Sequence, residues 1–267
     1  MTSTSTRPVE NPNAKPVTVI KVGGAKLAAE DEIDALVDHV RRLGERGDRV
    51  VVVHGGGPEI NTLHERLGVD TEKRDGIRVT RGEGMELAQM VLCGLVNKRV
   101  VARFLGGGVA AVGLSGVDGG LLTADLLDEE LWGRVGREPR VDTRLLEELL
   151  AAGRVPVIAP ISLGEDAAPV NVNADDAAHA IASALGVDSL DFISDIPGVK
   201  GAAGDVIARV DADGVTRLIA DGVVVGGMVP KLEAALEALD AGVGRVRIGD
   251  LAAMDARTAT EVTAATC

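Results

Sequence analysis

The run 17–22 is apolar apart from Thr18 and Lys21 and stops at Gly23-Gly24, which predicts a buried strand ending in a turn. Ile33, Leu36, Val37, Val40 and Leu43 then recur at helical spacing and predict a helix over 31–46. A second apolar run, 49–53, predicts a strand that ends in His54-Gly55-Gly56-Gly57, with Pro58 suited to the first turn of a helix over 59–67. Further along, the pattern predicts a short strand or turn at 76–80 and a helix over 84–105 carried by Leu87, Met90, Val91, Leu95 and Val96. Gly106-Gly107-Gly108 breaks that helix ahead of a strand at 109–114. The charged stretch 122–140 has no clear period and suits a hairpin near Trp132. Helices at 143–152 and 173–185 and strands at 155–160 and 191–193 follow. A short helix at 216–221, an alanine-rich helix at 230–241 and a last clear strand at 245–248 complete the pattern. Such alternation predicts an α/β fold with a mainly parallel sheet between helices.

The 267 residues suffice for one large α/β domain or two lobes, and any lobe boundary is expected near 186–189. Hydrophobic residues make up 46% of the chain but aromatics only 1%, so Ala, Val, Leu and Ile must build the core. That suits buried parallel strands under alanine-rich helices. A formal net charge of −13 repels nucleic-acid phosphates and argues against a nucleic-acid partner. No apolar run is long enough to cross a membrane. Residues 1–16 lack the apolar stretch of a secretory signal and are expected to form a disordered tail. Two cysteines, Cys93 and Cys267, fit a reduced, cytoplasmic compartment better than a disulfide, and Cys93 falls in an apolar helical run that suits core packing. The four histidines show no Cys/His pairing at metal spacing, so no protein-held metal is expected.

Against this acidic background two lysines stand out. Lys21 sits at the end of an apolar strand beside glycines, where a charge is costly unless it is used or snorkels to the sheet edge. Lys231 follows Gly226-Gly227-Met228-Val229-Pro230 at a helix start, where a positive charge opposes the helix dipole unless an anion joins it. Three glycines after His54 are more than a turn requires and allow close backbone approach to an anion. His54 itself suits a packed or hydrogen-bonded role. Lysines and glycine N–H groups together make a cradle for an oxygen-rich anion, most simply a phosphoryl group in transit. Arg78 is either a surface arginine or a bidentate clamp on a substrate carboxylate. Asn171, Asn173 and Asp175 alternate ahead of a helix. They read either as plain capping by Asn173 or as Asn171 bonding a substrate while Asp175 holds both lysines. Asp195-Ile196-Pro197-Gly198-Val199 is either an ordinary turn or a cover for a nucleotide, and Lys200 a solvated charge or a nucleotide contact.

In their order along nearly the whole chain, these motifs resemble the amino acid kinase family. The resemblance rests on Lys21-Val22-Gly23-Gly24, His54-Gly55-Gly56-Gly57-Pro58, Gly76-Ile77-Arg78-Val79-Thr80, Val96-Asn97-Lys98, Val112 through Gly119, Asn171 through Asp175, Asp195 through Val199, and Gly227 through Lys231. It implies a three-layer αβα sandwich with an open, mainly parallel eight-stranded sheet. An N-terminal lobe, 17–187, would bind the amino-acid substrate and form a homodimer around the helix near 86–104. A C-terminal lobe, 188–267, would bind ATP with Mg²⁺ carried by the nucleotide.

By position, Lys21 and Lys231 would stabilise the transition state and Asp175 would orient both. Gly56, Gly57, Arg78 and Asn171 would hold the substrate, N-acetyl-L-glutamate. Gly23, Gly24, Asp195, Ile196, Pro197, Gly198, Val199, Lys200, Val223, Val224 and Val225 would hold ATP. Similar members act on glutamate or aminoadipate attached to a carrier protein, and a degenerate ligand-binding module is the non-enzymatic alternative. The short loop 76–80 favours the free acetylated substrate. Residues 245–267 lack a glycine-threonine ending, and residues before Val17 lack an amphipathic helix. Both departures point to a dimer that escapes arginine inhibition.

Overall fold

Every residue of the strand Val17–Val22 is buried, so the strand lies inside a sheet with helices over both faces. The structure, a computed structural model, describes residues 15–74 and 77–264; nearly all of the tail 1–16, together with Gly76 and Cys267, lies outside the described residues. Across the main eight-stranded sheet the order is Arg209–Asp211, Thr260–Thr263, Val246–Gly249, Ser189–Ile193, Val17–Val22, Arg49–His54, Val155–Ala159 and Ala111–Ser115. All neighbours are parallel except Val246–Gly249 with Thr260–Thr263. The chain therefore leaves Val17–Val22 on one side to reach Arg49–His54 and returns much later on the other side as Ser189–Ile193. That reversal makes a topological switch point, and a crevice opens beyond the carboxyl ends of these three strands.

The period-2 alternation of the central strand divides the core. Val17 and Val19 face one layer, with Ala177, Ala178 and Ile181 of the helix Ala174–Leu185 and Leu232 of Met228–Asp240. Ile20 and Val22 face the other, with Leu36 and Val40 of Glu30–Glu45 and Val100 and Phe104 of Asn97–Gly106. Lys21 shares the parity of Val19 and so points into the first layer.

Several boundaries differ from the pattern-based expectation. The single helix expected over 84–105 is Glu83–Gln89, a π-helical segment Met90–Val96, and Asn97–Gly106 in continuous succession. Its buried positions include Leu87, Ala88, Val91, Leu92, Val96, Val100 and Phe104, an apolar stripe that continues through the π segment. That stripe stays on the core while Met90 and Leu95, expected inside, are 60% and 55% exposed. The stretch 122–140 does form a hairpin, from Leu122–Leu126 and Gly136–Val141, inside a second sheet with Ile161–Gly164 and Pro169–Asn171. Beyond Val246–Gly249, residues expected to trail off fold into the helix Leu251–Ala256 and the strand Thr260–Thr263. The latter is a short polar-apolar alternation that becomes a strand only because partners flank it on both sides.

Candidate active site

Lys21 Nζ lies 2.8 Å from Asp175 Oδ1, and Lys231 Nζ lies 3.0 Å from Asp175 Oδ2 and 3.3 Å from Oδ1. Both ammonium groups thus converge on one carboxylate, near enough to each other to flank a single small tetrahedral anion. Three elements bring them together. The central strand supplies Lys21, the first turn of Ala174–Leu185 supplies Asp175, and the first turn of Met228–Asp240 supplies Lys231. Asn173 caps the helix, its side chain accepting from the Asp175 N–H at 2.8 Å, which fixes where the carboxylate emerges. The capping role foreseen for Asn173 and the bridging position foreseen for Asp175 coexist.

The cluster is buried, with Lys21 6% and Asp175 7% exposed. Burial pulls the Lys21 ammonium below its ordinary pKa; Asp175 opposes that pull and Lys231 adds to it. Burial would push the Asp175 carboxyl up, but the two lysines outweigh it and hold it below the usual carboxylate range. The site therefore carries two positive groups and one negative one in a dry setting, with positive charge in excess where an incoming anion would sit.

Two glycine loops close over the strand ends. A Cβ on Gly24 would sit 2.8 Å from both Cα and N of Gly56 and 2.9 Å from Gly57 N, so the loops touch backbone to backbone. A Cβ on Gly56 would meet the Leu92 side chain of the π segment at 2.6 Å. No acceptor among the described residues takes the N–H of Gly56 or Gly57, and both groups lie at the start of the helix Gly57–Leu67.

Beside these loops is a cavity of about 260 Å³ lined by Gly56, Gly57, Arg78, Leu92, Asn171 and Asp176, among others. Its size suits an amino-acid-sized ligand. Arg78 is buried and so is not a surface arginine. Its Nη2 donates to Gly57 O at 3.2 Å and to Asn61 Oδ1, while Nη1 finds no partner among the described residues. A buried guanidinium N–H without an acceptor is poised for a ligand carboxylate. Asn171 donates to Thr80 Oγ1 at 3.1 Å, and Thr80 donates on to Arg78 O at 3.0 Å, so the two polar walls are tied together. Thr80 and Asp176 are contributors that sequence reasoning did not single out; Asp176 follows Asp175 directly, and nothing in the pattern separates the two. Two larger hollows, of about 620 and 830 Å³, open at the amino-terminal edge of the strands, away from the lysines.

The residues assigned to a nucleotide lie along the same carboxyl edge but are heterogeneous. The turn after Ser189–Ile193 leaves Asp195, Pro197 and Lys200 exposed, with Asp195 Oδ1 4.0 Å from Lys26 Nζ. Gly198 and Val199 are instead packed inside. A Cβ on Gly198 would meet Thr260 Oγ1 at 2.6 Å, and the Val199 N–H donates to that oxygen at 2.8 Å. Val224 belongs to the core and Val225 is 69% exposed.

Paired lysines on a shared aspartate, under glycine loops at the switch point of a parallel sheet, suit an oxygen-rich anion such as a phosphoryl group. The chain belongs to the amino acid kinase family, which it matches over residues 16–250. It is 45% identical over 231 residues to the acetylglutamate kinase of Geobacillus kaustophilus, covering 86% of this chain and 88% of that one. It is 47% identical over 233 residues to that of Methanopyrus kandleri, covering 84% and 91%. A crystal structure from Streptococcus mutans UA159 superposes with a TM-score of 0.83 at 32% identity, covering 94% of this chain and 99% of that one.

Proposed function

We propose that the protein transfers the γ-phosphoryl group of ATP to the γ-carboxylate of N-acetyl-L-glutamate, giving N-acetylglutamyl 5-phosphate in arginine biosynthesis. The observation that carries this is the meeting of Lys21 and Lys231 on Asp175 beside a small cavity holding a buried, part-unpaired arginine. Kinship with enzymes named acetylglutamate kinase supports the choice of acceptor.

The acceptor needs no general base, because a carboxylate with a reference pKa of about 4.3 is already ionised at neutral pH. Its oxygen attacks the γ-phosphorus, the bond to the β,γ-bridging oxygen breaks, and the electron pair leaves with ADP. No proton changes hands. The difficulty is bringing one anion to another. Lys21, Lys231 and the N–H groups of Gly56 and Gly57 would neutralise charge spreading over the phosphoryl oxygens. Asp175 would hold both ammonium groups protonated and aimed. Arg78 and Asn171 would fix the acceptor, and the stretches 195–200 and 223–225 the nucleotide. Mg²⁺, when bound, supplies further screening of the phosphates. In this reading the ion would ride on the nucleotide phosphates.

The lobes would divide at 187/188, since strands from the two segments occupy opposite halves of the main sheet. A homodimer built on the exposed Met90 and Leu95 of the long helix, working in the cytoplasm, completes the proposal. Trapping acyl phosphate with hydroxylamine, using ATP, Mg²⁺ and a panel of acidic amino acids, tests the reaction. Product with free N-acetylglutamate is expected. Product only with a carrier-linked acceptor, or none at all, would overturn the assignment.

A further inference from the structure

Asn97 is wholly buried, yet it belongs to neither the lysine cluster nor the substrate cavity. Its amide nitrogen lies 2.8 Å from Val157 O, 3.2 Å from Leu114 O and 3.1 Å from His54 Nε2. Its amide oxygen lies 3.0 Å from Lys98 Nζ, which also donates to Gly113 O at 3.2 Å. Two carbonyl acceptors on one side and an ammonium donor on the other allow only one orientation of this amide. With two hydrogens for three acceptors, the Asn97 NH₂ serves Val157 O and shares its second hydrogen between Leu114 O and His54 Nε2; a proton on Nε2 would face that donor, so Nε2 is the bare nitrogen. A neutral imidazole whose Nε2 accepts carries its proton on Nδ1, and His54 Nδ1 lies 3.0 Å from Gly55 O. The chain of donors runs Lys98, Asn97, His54, Gly55. Burial, with Arg99 and Lys98 nearby, presses the His54 pKa down to about 4 although its bond to Gly55 pulls the other way, so the ring stays neutral at physiological pH.

The direction of this chain matters for the glycine loop. His54 shares the parity of Val50 and Val52, which face the layer of the long helix carrying Asn97. Gly55 C=O is thus drawn toward that layer. In a planar trans peptide the next N–H points the opposite way. The Gly56 N–H is thereby aimed at the face that holds Lys21, Asp175 and Lys231, and it has no other acceptor among the described residues.

We infer that His54 and Asn97 are positioning residues: together they lock the Gly55–Gly56 peptide so that the Gly56 N–H faces the phosphoryl group during transfer. The inference rests on the proposed reaction for its catalytic consequence, but its structural half can be read without turnover. Glycine alone would leave this peptide free to flip, because glycine accepts backbone conformations of either hand. The relay removes that freedom before substrate arrives, which is where preorganised donors gain their advantage over water.

Two measurements on the full chain decide it. The first is the ¹H–¹⁵N spectrum of the histidine rings in the ligand-free protein. His54 should be neutral with its proton on Nδ1 throughout pH 5–8, and a proton on Nε2 would overturn the relay whatever the enzyme does. The second compares His54→Asn with His54→Gln. Asparagine places an amide N–H where Nδ1 stood and can still reach Gly55 O; glutamine places it where Nε2 stood and cannot. His54→Gln should lower kcat by about 10- to 100-fold with both KM values nearly unchanged, consistent with misaiming one donor to the transferring group. His54→Asn should recover most of that loss. Equal kcat in the two variants would refute the inference, and because both alter the same packing, a shared stability loss cancels in the comparison. A wild-type protein with no kinase activity but with the Nδ1–H tautomer would instead sink the proposed reaction and leave the relay standing.

Discussion

Replacing Asp175 by asparagine keeps the shape of the side chain and removes only its charge, which makes it a sharp test of the lysine cluster. In the native protein each ammonium lies about 3 Å from a carboxylate oxygen. At an effective dielectric of 20, such a contact is worth roughly 5 kcal/mol of gross attraction before desolvation is counted. Removing one partner of a buried pair typically costs about 3–5 kcal/mol, because a buried charge is left uncompensated. Here the burial that already lowers the Lys21 pKa would act unopposed, with Lys231 adding repulsion, so the Lys21 pKa should fall further and its hold on the proton weaken. Loss of that one charge from the transition state should reduce kcat by about 10²- to 10³-fold, or about 3–4 kcal/mol. The sign of the pH effect follows. A lysine with a lowered pKa regains its proton as pH falls, so between pH 8 and pH 6 the residual activity of the variant should rise with falling pH more steeply than that of the wild type. Stability should shift as well. The folded-state pKa of Asp175 is depressed, so its contribution is present above about pH 4 and is lost as pH falls through the lower folded value. Steady-state rates of ADP release across this range, with thermal melts as a folding control, make the measurement. A folded variant with kcat within threefold of wild type at pH 7.5, or with a wild-type pH profile, would refute the reasoning.

Lys231→Ala should lower kcat by a similar 10²- to 10³-fold while leaving the acetylglutamate KM within a few-fold; a near-normal kcat would remove Lys231 from the transition state. Arg78→Ala should instead raise the acetylglutamate KM by about 10- to 100-fold, as expected for losing a charge-assisted contact, and an unchanged KM would separate Arg78 from the acceptor. Gly24→Ala should abolish most activity and cost about 1–3 kcal/mol of stability, because its methyl would press on the backbone of Gly56 and Gly57. Wild-type kinetics and melting in that variant would show that the two loops do not need to touch.

The strands that anchor the site were legible because their interiors are buried and largely apolar; Val17–Val22 and Arg49–His54 needed no knowledge of their partners. Lys21 stood out for the same reason, as a charge inside such a run. Meeting of Lys21 with Lys231 is another matter. It depends on the switch in strand order, which periodicity cannot reveal; the residues offered it only as one of two readings, and the family resemblance implied it. Thr260–Thr263 and Arg209–Asp211 were illegible because their strand character comes from neighbours, not from their own residues. The π segment was hidden because Ala88, Leu92, Val96, Val100 and Phe104 recur every four residues through it, a stripe that reads as one helix. Arg78 could not be resolved from sequence at all, since burial of an arginine is decided by the loops around it.

The central strand has a consequence for how the molecule comes into being. One of its edges is sealed by Arg49–His54 soon after both leave the ribosome, but the other waits for Ser189–Ile193. At ordinary elongation rates of about 5–20 residues per second, that interval lasts on the order of ten seconds. Throughout it, the unpaired edge of an apolar strand would be open to pairing with another chain. Newly made copies are most vulnerable to clumping in this window, and holding chaperones would act there, on an intermediate whose exposed border becomes the innermost seam of the finished enzyme.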